Sequence, residues 1–229
     1  MRLGLAVPLY DEADCCEAVV RGLVSTLASA GIPTTLALVN NGSTDGTGAI
    51  IDRLARTLPG CQALHLTANA GYGGGILAGL ASLATPILGW FWGDGQIGPD
   101  AVVAAYRLLT DEGLDLAKAR RVRRHDGLQR AAISRVYNTV MRLGFGLPSD
   151  DCNGCPKLLT RAALDRVAPR SRDWFLDPEV MLRAAELGLR WGEVDAVMQA
   201  RAGGSSKVRW STSVEFARRL LAWRRGVRG

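Results

Sequence analysis

Thr34-Thr35-Leu36-Ala37-Leu38-Val39, a β-branched and apolar run, stops abruptly in turn chemistry: Asn40-Asn41-Gly42-Ser43-Thr44-Asp45-Gly46-Thr47. The run reads as a buried strand. The turn that follows reads as the start of a helix through Leu58, capped by Ser43 or Thr44. The same unit recurs on both sides. Upstream, Leu3 to Val7 is a short apolar strand stopped by Pro8, and Asp11 to Ala30 carries helical periodicity through Ala18, Val19, Leu23 and Leu27, with Asp11 as the cap. Downstream come a strand at Gln62 to Leu66, a helix at Gly75 to Leu83, a strand at Pro86 to Trp92 and a helix from Pro99 to Leu109. Strands alternating with helices predict one α/β domain whose mostly parallel central sheet is flanked by helices. Ligands of such sheets bind beyond the carboxyl ends of the strands.

The second half changes character. Lys118 to Arg130 is basic and has no regular apolar period. A helix is expected from Leu128 to Phe145, a loop from Pro148 to Pro156, a helix from Pro178 to Leu187 and a strand from Trp191 to Val197. A Gly-rich polar loop at Gly203 to Lys207 leads to a last helix, Thr212 to Trp223. No repeat or linker divides the chain.

Composition narrows the class. Of 229 residues 48% are apolar and 22% charged, which excludes wholesale disorder. The net charge of +6 favours anionic partners such as phosphates or a membrane surface. Nucleic acid is disfavoured, because the Arg-rich stretches lack interleaved aromatics. No apolar run approaches the roughly 20 residues of a membrane span. The N-terminus lacks a signal-peptide core, so the expectation is a cytoplasmic chain, soluble or peripheral at the membrane face. The five cysteines, Cys15, Cys16, Cys61, Cys152 and Cys155, read as reduced thiols. Cys152 and Cys155 have zinc-ligand spacing but no second pair to complete a site.

Four strand ends carry polar or Gly-rich loops: Pro8-Leu9-Tyr10-Asp11-Glu12, Asn40 to Thr47, Asn69-Ala70-Gly71-Tyr72-Gly73-Gly74-Gly75, and Trp92-Gly93-Asp94-Gly95-Gln96. All should share one edge of the sheet. Asp94 lies between two glycines, with the Gln96 amide two residues on. It reads either as an oxygen ligand for a hard divalent cation or as a plain turn residue. Gly71 to Gly75 reads either as a nucleotide-holding loop or as a tight turn before a helix. Gly73-Gly74-Gly75-Ile76-Leu77-Ala78 also fits a dinucleotide fingerprint. Against that reading, the first strand ends in acidic residues where a pyrophosphate would sit. His65 reads as a satisfied strand histidine, and Trp92 and Trp174 are the tryptophans expected at the site.

Taken in order, these loops resemble the family 2 glycosyltransferases of GT-A fold, in the dolichol-phosphate mannosyltransferase-like branch that glycosylates polyprenyl phosphates. Val7 to Glu12 matches the opening IPVYNE, Val39 to Thr47 matches VDDGSTDGT, and Asn69, Gly71 and Gly73 match N-x-G-x-G. Trp92 to Gln96 matches the metal motif DADGQ. Arg130, Ser134, Arg135 and Asn138 match R…SR…N, and Asp151 to Lys157 keeps the end residues of D-x-x-x-G-F-K. Leu176 to Glu179 matches FD-x-E, and Arg201 to Lys207 matches R-x-x-G-x-SK. Three departures stand out. Trp92 replaces the first metal-motif Asp, Asn40 and Asn41 replace acidic residues, and the acceptor-side motif is largely altered.

The resemblance implies an inverting, metal-dependent transfer of a sugar from a nucleotide-diphosphate donor. The acceptor is expected to be a polyprenyl phosphate, with a soluble small-molecule hydroxyl, or a non-catalytic sugar-nucleotide-binding role, as alternatives. Donor contacts are expected from Pro8, Tyr10, Glu12, Asn40, Asn41, Gly71, Gly73, Asp94, Gly95 and Gln96. Asp94 and Gln96 would hold Mg²⁺ or Mn²⁺. Arg201 and Lys207 would close over the diphosphate. Arg120, Arg130, Ser134 and Asp151 would border the acceptor, with Asp151 as the base if the acceptor is a hydroxyl. Asp45 is expected to brace its loop. The glycosyltransferase domain is expected over residues 1–210. Residues 211–229 would form a basic amphipathic helix, with Phe216, Leu220 and Trp223 beside Arg218, Arg219, Arg224, Arg225 and Arg228, either packed on the domain or lying at a membrane surface.

Overall fold

A computed structural model describes residues 1–124, 138–147, 149, 151–199, 218–220 and 223–224. Its strands are β1 (Leu3–Leu9), β2 (Thr34–Asn41), β3 (Cys61–Leu66), β4 (Ile87–Trp90), β5 (Leu116–Arg124), β6 (Lys157–Thr160) and β7 (Trp191–Met198). Its helices are α1 (Cys16–Ser29), α2 (Thr47–Thr57), α3 (Tyr72–Ala81), α4 (Asp100–Asp111), α5 (Arg161–Val167) and α6 (Leu176–Glu186). Residues 138–145, 218–220 and 223–224 are also helical.

The strands form one seven-stranded sheet in the order β3-β2-β1-β4-β6-β5-β7. Only β6 runs against its neighbours, antiparallel to both β4 and β5, while β5 and β7 are parallel. The chain winds outward from β1 to β3 and then returns to the other side of β1 as β4. That reversal opens a crevice beyond the carboxyl ends of β1 and β4, where open α/β sheets take ligands.

Side-chain alternation along β1 sets the two layers. Leu3, Leu5, Val7 and Leu9 face α1 and α4 through Leu23, Leu27, Val102 and Ala105. Ala6 faces the other layer with Ile76, Leu80, Val180 and Met181. Small residues on that second face let α3 lie close. A Cβ on Gly79 would stand 2.6 Å from the Ala6 Cβ and 2.9 Å from a Val39 methyl.

The sequence reading needs correction at several elements. Pro8 does not stop β1; it pairs with Val39 inside the strand. Ala6 bonds toward β4, accepting from Phe91 N at 3.0 Å. By the alternation of a strand, Pro8 faces the same side two residues on, where β4 has already ended, so its missing N–H breaks no ladder. Helix α1 starts at Cys16, and Asp11 does not cap it. Neither Ser43 nor Thr44 caps α2, whose N-cap is Gly46. β5 lies in the basic stretch that showed no period, because Lys118 and Arg121 are buried in ion pairs with residues elsewhere in the chain. β6 and α5 were not anticipated; four residues and seven residues respectively are too short for a periodic signal. In the last expected helix, Leu220 is 6% and Trp223 9% exposed. Both belong to the layer with α6. These two residues of the expected apolar stripe therefore pack on the domain. Phe216 lies outside the described residues.

Replacing Gly79 by Ala should force α3 off the sheet. Overpacking of this kind costs about 1–3 kcal/mol. The expected outcome is a lower urea midpoint with an unchanged denaturant slope; an unaltered midpoint would mean that α3 shifts without cost.

Candidate active site

Two loops at the carboxyl end of the sheet are stapled into one unit. Asp11 N donates to Ser43 Oγ at 3.1 Å, and Thr44 N donates to Asp11 Oδ1 at 2.8 Å. Glu12 N donates to Thr47 Oγ1 at 3.0 Å. Asp45 accepts from Ala13 N at 3.1 Å and from Thr47 N at 2.9 Å, so it braces both loops. Asp11 takes φ +51°, a conformation that Asp tolerates better than most residues. The Glu12 carboxylate is turned inward and accepts from Cys15 Sγ at 3.3 Å. Cys15 Sγ also lies 3.6 Å from Gly93 O, which ties this unit to the Asp94 turn. Burial and the neighbouring Glu12 push the Cys15 thiol up to about 12, so it is no nucleophile. Burial pushes Cys152 up to about 12 as well, and raises Cys155 well above its ordinary value.

Asn40 and Asn41 were expected to face the donor, but their amides serve the scaffold. Asn40 Oδ1 accepts from Ser43 N at 2.9 Å, and its Nδ2 lies 3.2 Å from His65 Nδ1. His65 is in turn paired with Asp52 at 2.9 Å, a satisfied strand histidine. Asn41 donates to Gly71 O at 3.0 Å and accepts from Ala70 N at 3.0 Å, so it clamps the Gly-rich loop to β2. Uncharged amides can both donate and accept here, which the acidic residues of the motif could not.

The Gly-rich loop is not a phosphate cradle. Gly74 N donates to Arg172 O at 2.9 Å. A Cβ on Gly71 would stand 2.5 Å from Arg172 O, and one on Gly73 would overlap Ser171 O. Gly71, at φ +82°, and Gly73 are thus explained by the backbone of residues 171–173 lying against them. This corrects their expected donor role and removes the dinucleotide reading, since the space a pyrophosphate would need is filled by protein.

Seating that loop brings Trp174 onto Tyr72, with ring centroids 4.3 Å apart. Tyr72 is the site residue that the sequence reading missed. Its hydroxyl accepts from Trp92 Nε1 at 2.9 Å and donates to Asp177 Oδ2 at 2.8 Å. Burial, with the Asp177 charge beside it, pushes the phenol well up, so it stays protonated as that donor. Asp177 is also paired with Lys157, whose ammonium donates to Gly154 O at 2.8 Å. Glu179 accepts from Ser171 N at 2.7 Å and fixes the seated loop from behind. The FD-x-E-like segment thus orients Tyr72 and the loop, and Trp92 and Trp174 both stand at the site through Tyr72.

Asp94 lies on a turn with Gly95 at φ +71°, and its Oδ1 accepts from Gln96 N at 3.1 Å. The carboxylate is partly exposed, as are Pro8, Tyr10 and Trp92 nearby in the fold. Gln96, the second expected metal ligand, also has a structural role. It is 7% exposed, and its Nε2 donates to Gln199 O at 3.3 Å while Gln199 N donates to Gln96 O at 2.8 Å. It straps the turn to the end of β7. Among the described residues, no three His, Cys, Asp or Glu converge as a metal cluster.

On the expected acceptor side, Asp151 is held by Arg121 through both carboxylate oxygens, at 2.7 and 2.6 Å, and by Arg121 N at 2.9 Å. Burial works to raise its pKa. The Arg121 hydrogen bonds and charge, with Lys118 close by, outweigh that and hold it down at about 2. Such a carboxylate cannot take a proton near neutrality, so Asp151 is not the general base expected for a hydroxyl acceptor. The Arg121 guanidinium also lies 5.6 Å from the centroid of the Trp92 ring. Lys118 pairs with Glu193 at 2.9 Å, and Arg120 pairs with Asp195 at 2.6 Å. Arg130, Ser134, Arg201 and Lys207 lie outside the described residues.

The family description "Glycosyl transferase family 2" matches residues 5–168. The chain is 29% identical over 206 residues to the polyprenol monophosphomannose synthase of Mycolicibacterium smegmatis, a match covering 84% of this chain and 76% of that one. It is 31% identical over 192 residues to an uncharacterised glycosyltransferase of Mycobacterium tuberculosis, covering 82% and 84%. Among solved structures it superposes on glucosyl-3-phosphoglycerate synthase of M. tuberculosis, crystallised with Mn²⁺, UDP and glucosyl-3-phosphoglycerate. That superposition has a TM-score of 0.74 and 19% identity, covering 100% of this chain and 81% of that one.

Removing the Asp151 carboxylate should cost stability before anything else. Asp151→Ala leaves Arg121 buried without its partner, a loss of about 3–5 kcal/mol. Because the folded-state pKa is depressed, this contribution is fully present above pH 3.8 and is lost as pH falls through about 2. Acid titration of the denaturation midpoint should show that difference between wild type and variant. An equal midpoint at pH 7 would refute the role given to the pair.

Proposed function

The chain belongs to glycosyl transferase family 2, and we propose that it transfers a sugar from a nucleotide-diphosphate donor to a polyprenyl phosphate, inverting the anomeric centre. The observation that carries the acceptor assignment is the Arg121–Asp151 pair. A hydroxyl acceptor needs a base, and the carboxylate put forward for that work is locked in an ion pair. A phosphate monoester needs none, since its second pKa is about 6 and its oxygen is already ionised. The polyprenol monophosphomannose synthase relative supports the same choice.

Donor binding falls to the crevice beyond β1 and β4. Pro8, Tyr10 and the stapled loops would face the nucleoside, and Gly95 would let the backbone approach the diphosphate. Asp94 is the catalytic carboxylate of this reading. A single Asp suits a hard cation that draws its other ligands from substrate phosphates and water. Asp94, with the donor's own oxygens, would therefore hold Mg²⁺ or Mn²⁺, whose charge would offset that of the departing diphosphate. Mn²⁺ is present with UDP in the glucosyl-3-phosphoglycerate synthase structure. Arg201 and Lys207 are proposed to close over the diphosphate; Gln199, two residues before Arg201 in the chain, is tied to the Asp94 turn. Arg130 and Ser134 are proposed to orient the acceptor phosphate. Arg120, already paired with Asp195, is a weaker contributor.

A screen of sugar nucleotides for thermal stabilisation, with and without Mg²⁺ or Mn²⁺, should single out one donor and show that the metal raises its effect. Asp94→Asn should lower turnover about 10²-fold or more while leaving the apo protein's melting midpoint unchanged. Full turnover in EDTA would sink the metal assignment. Transfer to a soluble hydroxyl acceptor, with none to polyprenyl phosphate, would overturn the acceptor. Lys207→Ala and Arg201→Ala should each lower kcat more than they weaken donor binding. Unchanged kinetics in both would mark a solvated loop.

A further inference from the structure

Trp92 stands where the family motif carries its first acidic residue, and its indole is held on two sides. Nε1 donates to the Tyr72 hydroxyl at 2.9 Å, and the Arg121 guanidinium lies 5.6 Å from the ring centroid. Tyr72 is itself fixed. It opens α3, its ring stacks on Trp174 at 4.3 Å and 12°, and its hydroxyl donates to Asp177 Oδ2 at 2.8 Å. Asp177 is 3% exposed and paired with Lys157, which is fully buried. The phenol has one proton, and Asp177 takes it. What remains toward Trp92 is lone pairs. They suit a group that can only donate, and an indole N–H is such a group. A carboxylate at position 92 would find no proton there.

The turn beyond Trp92 lies tight on the end of β1. A Cβ on Gly93 would stand 2.2 Å from Leu9 Cδ2, and Cys15 Sγ lies 3.6 Å from Gly93 O. Gln96 closes the turn through Gln199. Asp94 therefore stands between two tied ends, Trp92 and Gln96. We propose that the Tyr72 hydroxyl is a positioning group for Asp94, acting through the Trp92 indole. The proposal deepens the donor-site reading above and rests on it. A second carboxylate ligand would let a bound ion draw the turn into register by itself. Asp94 is the lone carboxylate of the motif, so the turn has to be in place before donor and ion arrive. An error of about 1 Å in such a placement can cost about 10²-fold in rate. Tyr72 supplies the placement from α3, with α6 behind it through Asp177.

The test compares Tyr72→Phe, which keeps the ring and its stack on Trp174, with Trp92→Phe, which removes the indole N–H, and with the double variant. In the full chain without ligand, hydrogen–deuterium exchange at the amides of residues 93–96 should be about tenfold faster in Tyr72→Phe than in wild type, with exchange in β1 and α1 unchanged. Turnover at saturating donor should fall about tenfold or more, with the donor KM within about twofold of wild type. The Mn²⁺ concentration that half-saturates stabilisation of the protein by UDP or GDP should rise about tenfold, while nucleotide stabilisation without metal keeps its wild-type value. The double variant should be no worse than the poorer single variant, since both changes remove the same hydrogen bond. Wild-type exchange at residues 93–96, or wild-type turnover, in Tyr72→Phe would overturn the proposal. So would effects that multiply in the double variant. An equal loss of nucleotide stabilisation with and without metal would likewise overturn it, by making Tyr72 a wall of the nucleotide pocket. If exchange rises in the variants but wild type turns over no sugar nucleotide and gains nothing from Mn²⁺, the donor reading falls and the hold of Tyr72 on the turn stands.

Discussion

Backbone lying on backbone is the constraint from which the site is built. Residues 171–173 rest directly on Gly71 to Gly74, and no side chain larger than hydrogen fits at Gly71 or Gly73. That contact joins the parallel first half of the sheet to the later elements. It sets Trp174 on Tyr72, and Tyr72 in turn fixes Trp92, two residues before Asp94. Glu179 holds the same loop from α6, so the joint is fastened from both sides. The glycines serve packing, and the packing positions the chemistry.

Behind Trp92 lies a buried set of charges that is neutral in sum. Arg121 pairs with Asp151, Lys118 with Glu193 and Lys157 with Asp177. Pairs like these seldom add net stability over an apolar core, but each is costly to break singly. Their effect here is geometric. They fix β5, β6 and the loop before β6 against the Trp92 turn. They also remove Asp151 from proton-transfer chemistry, which favours an acceptor that arrives already ionised. Trp92, where the family motif has an acidic residue, belongs to this arrangement: an indole donates to Tyr72 and lies beside Arg121, whereas a carboxylate could not donate.

The C-terminal segment joins the same body. Arg219 pairs with Asp173 and lies 5.9 Å from the centroid of the Phe175 ring. Trp223 packs 6.1 Å from Phe175. The segment thus braces the seated loop from the outside, while Arg218 and Arg224 face solvent. An ion pair as exposed as Arg219–Asp173 contributes little alone; the burial of Leu220 and Trp223 gives the contact its strength.

The alternation of apolar runs and polar turns in residues 3–111 was enough to fix the α/β class and the mostly parallel sheet with its flanking helices. Those features follow from local periodicity and turn chemistry, which a linear sequence records. Asp94 and its glycines were legible for the same reason, and Asp45 could be read as a brace from its place in the turn. The roles of Asn41, Gly71, Gly73, Gln96 and Asp151 were not. Each is decided by a partner far along the chain: Gly71 by Arg172, Gln96 by Gln199, Asp151 by Arg121. Strand β5 hid in a basic stretch because Lys118, Arg120 and Arg121 find their partners across space, not along the sequence. Tertiary structure alone gave these residues their scaffold roles, because a polar group that is buried must find its partner wherever the fold brings one.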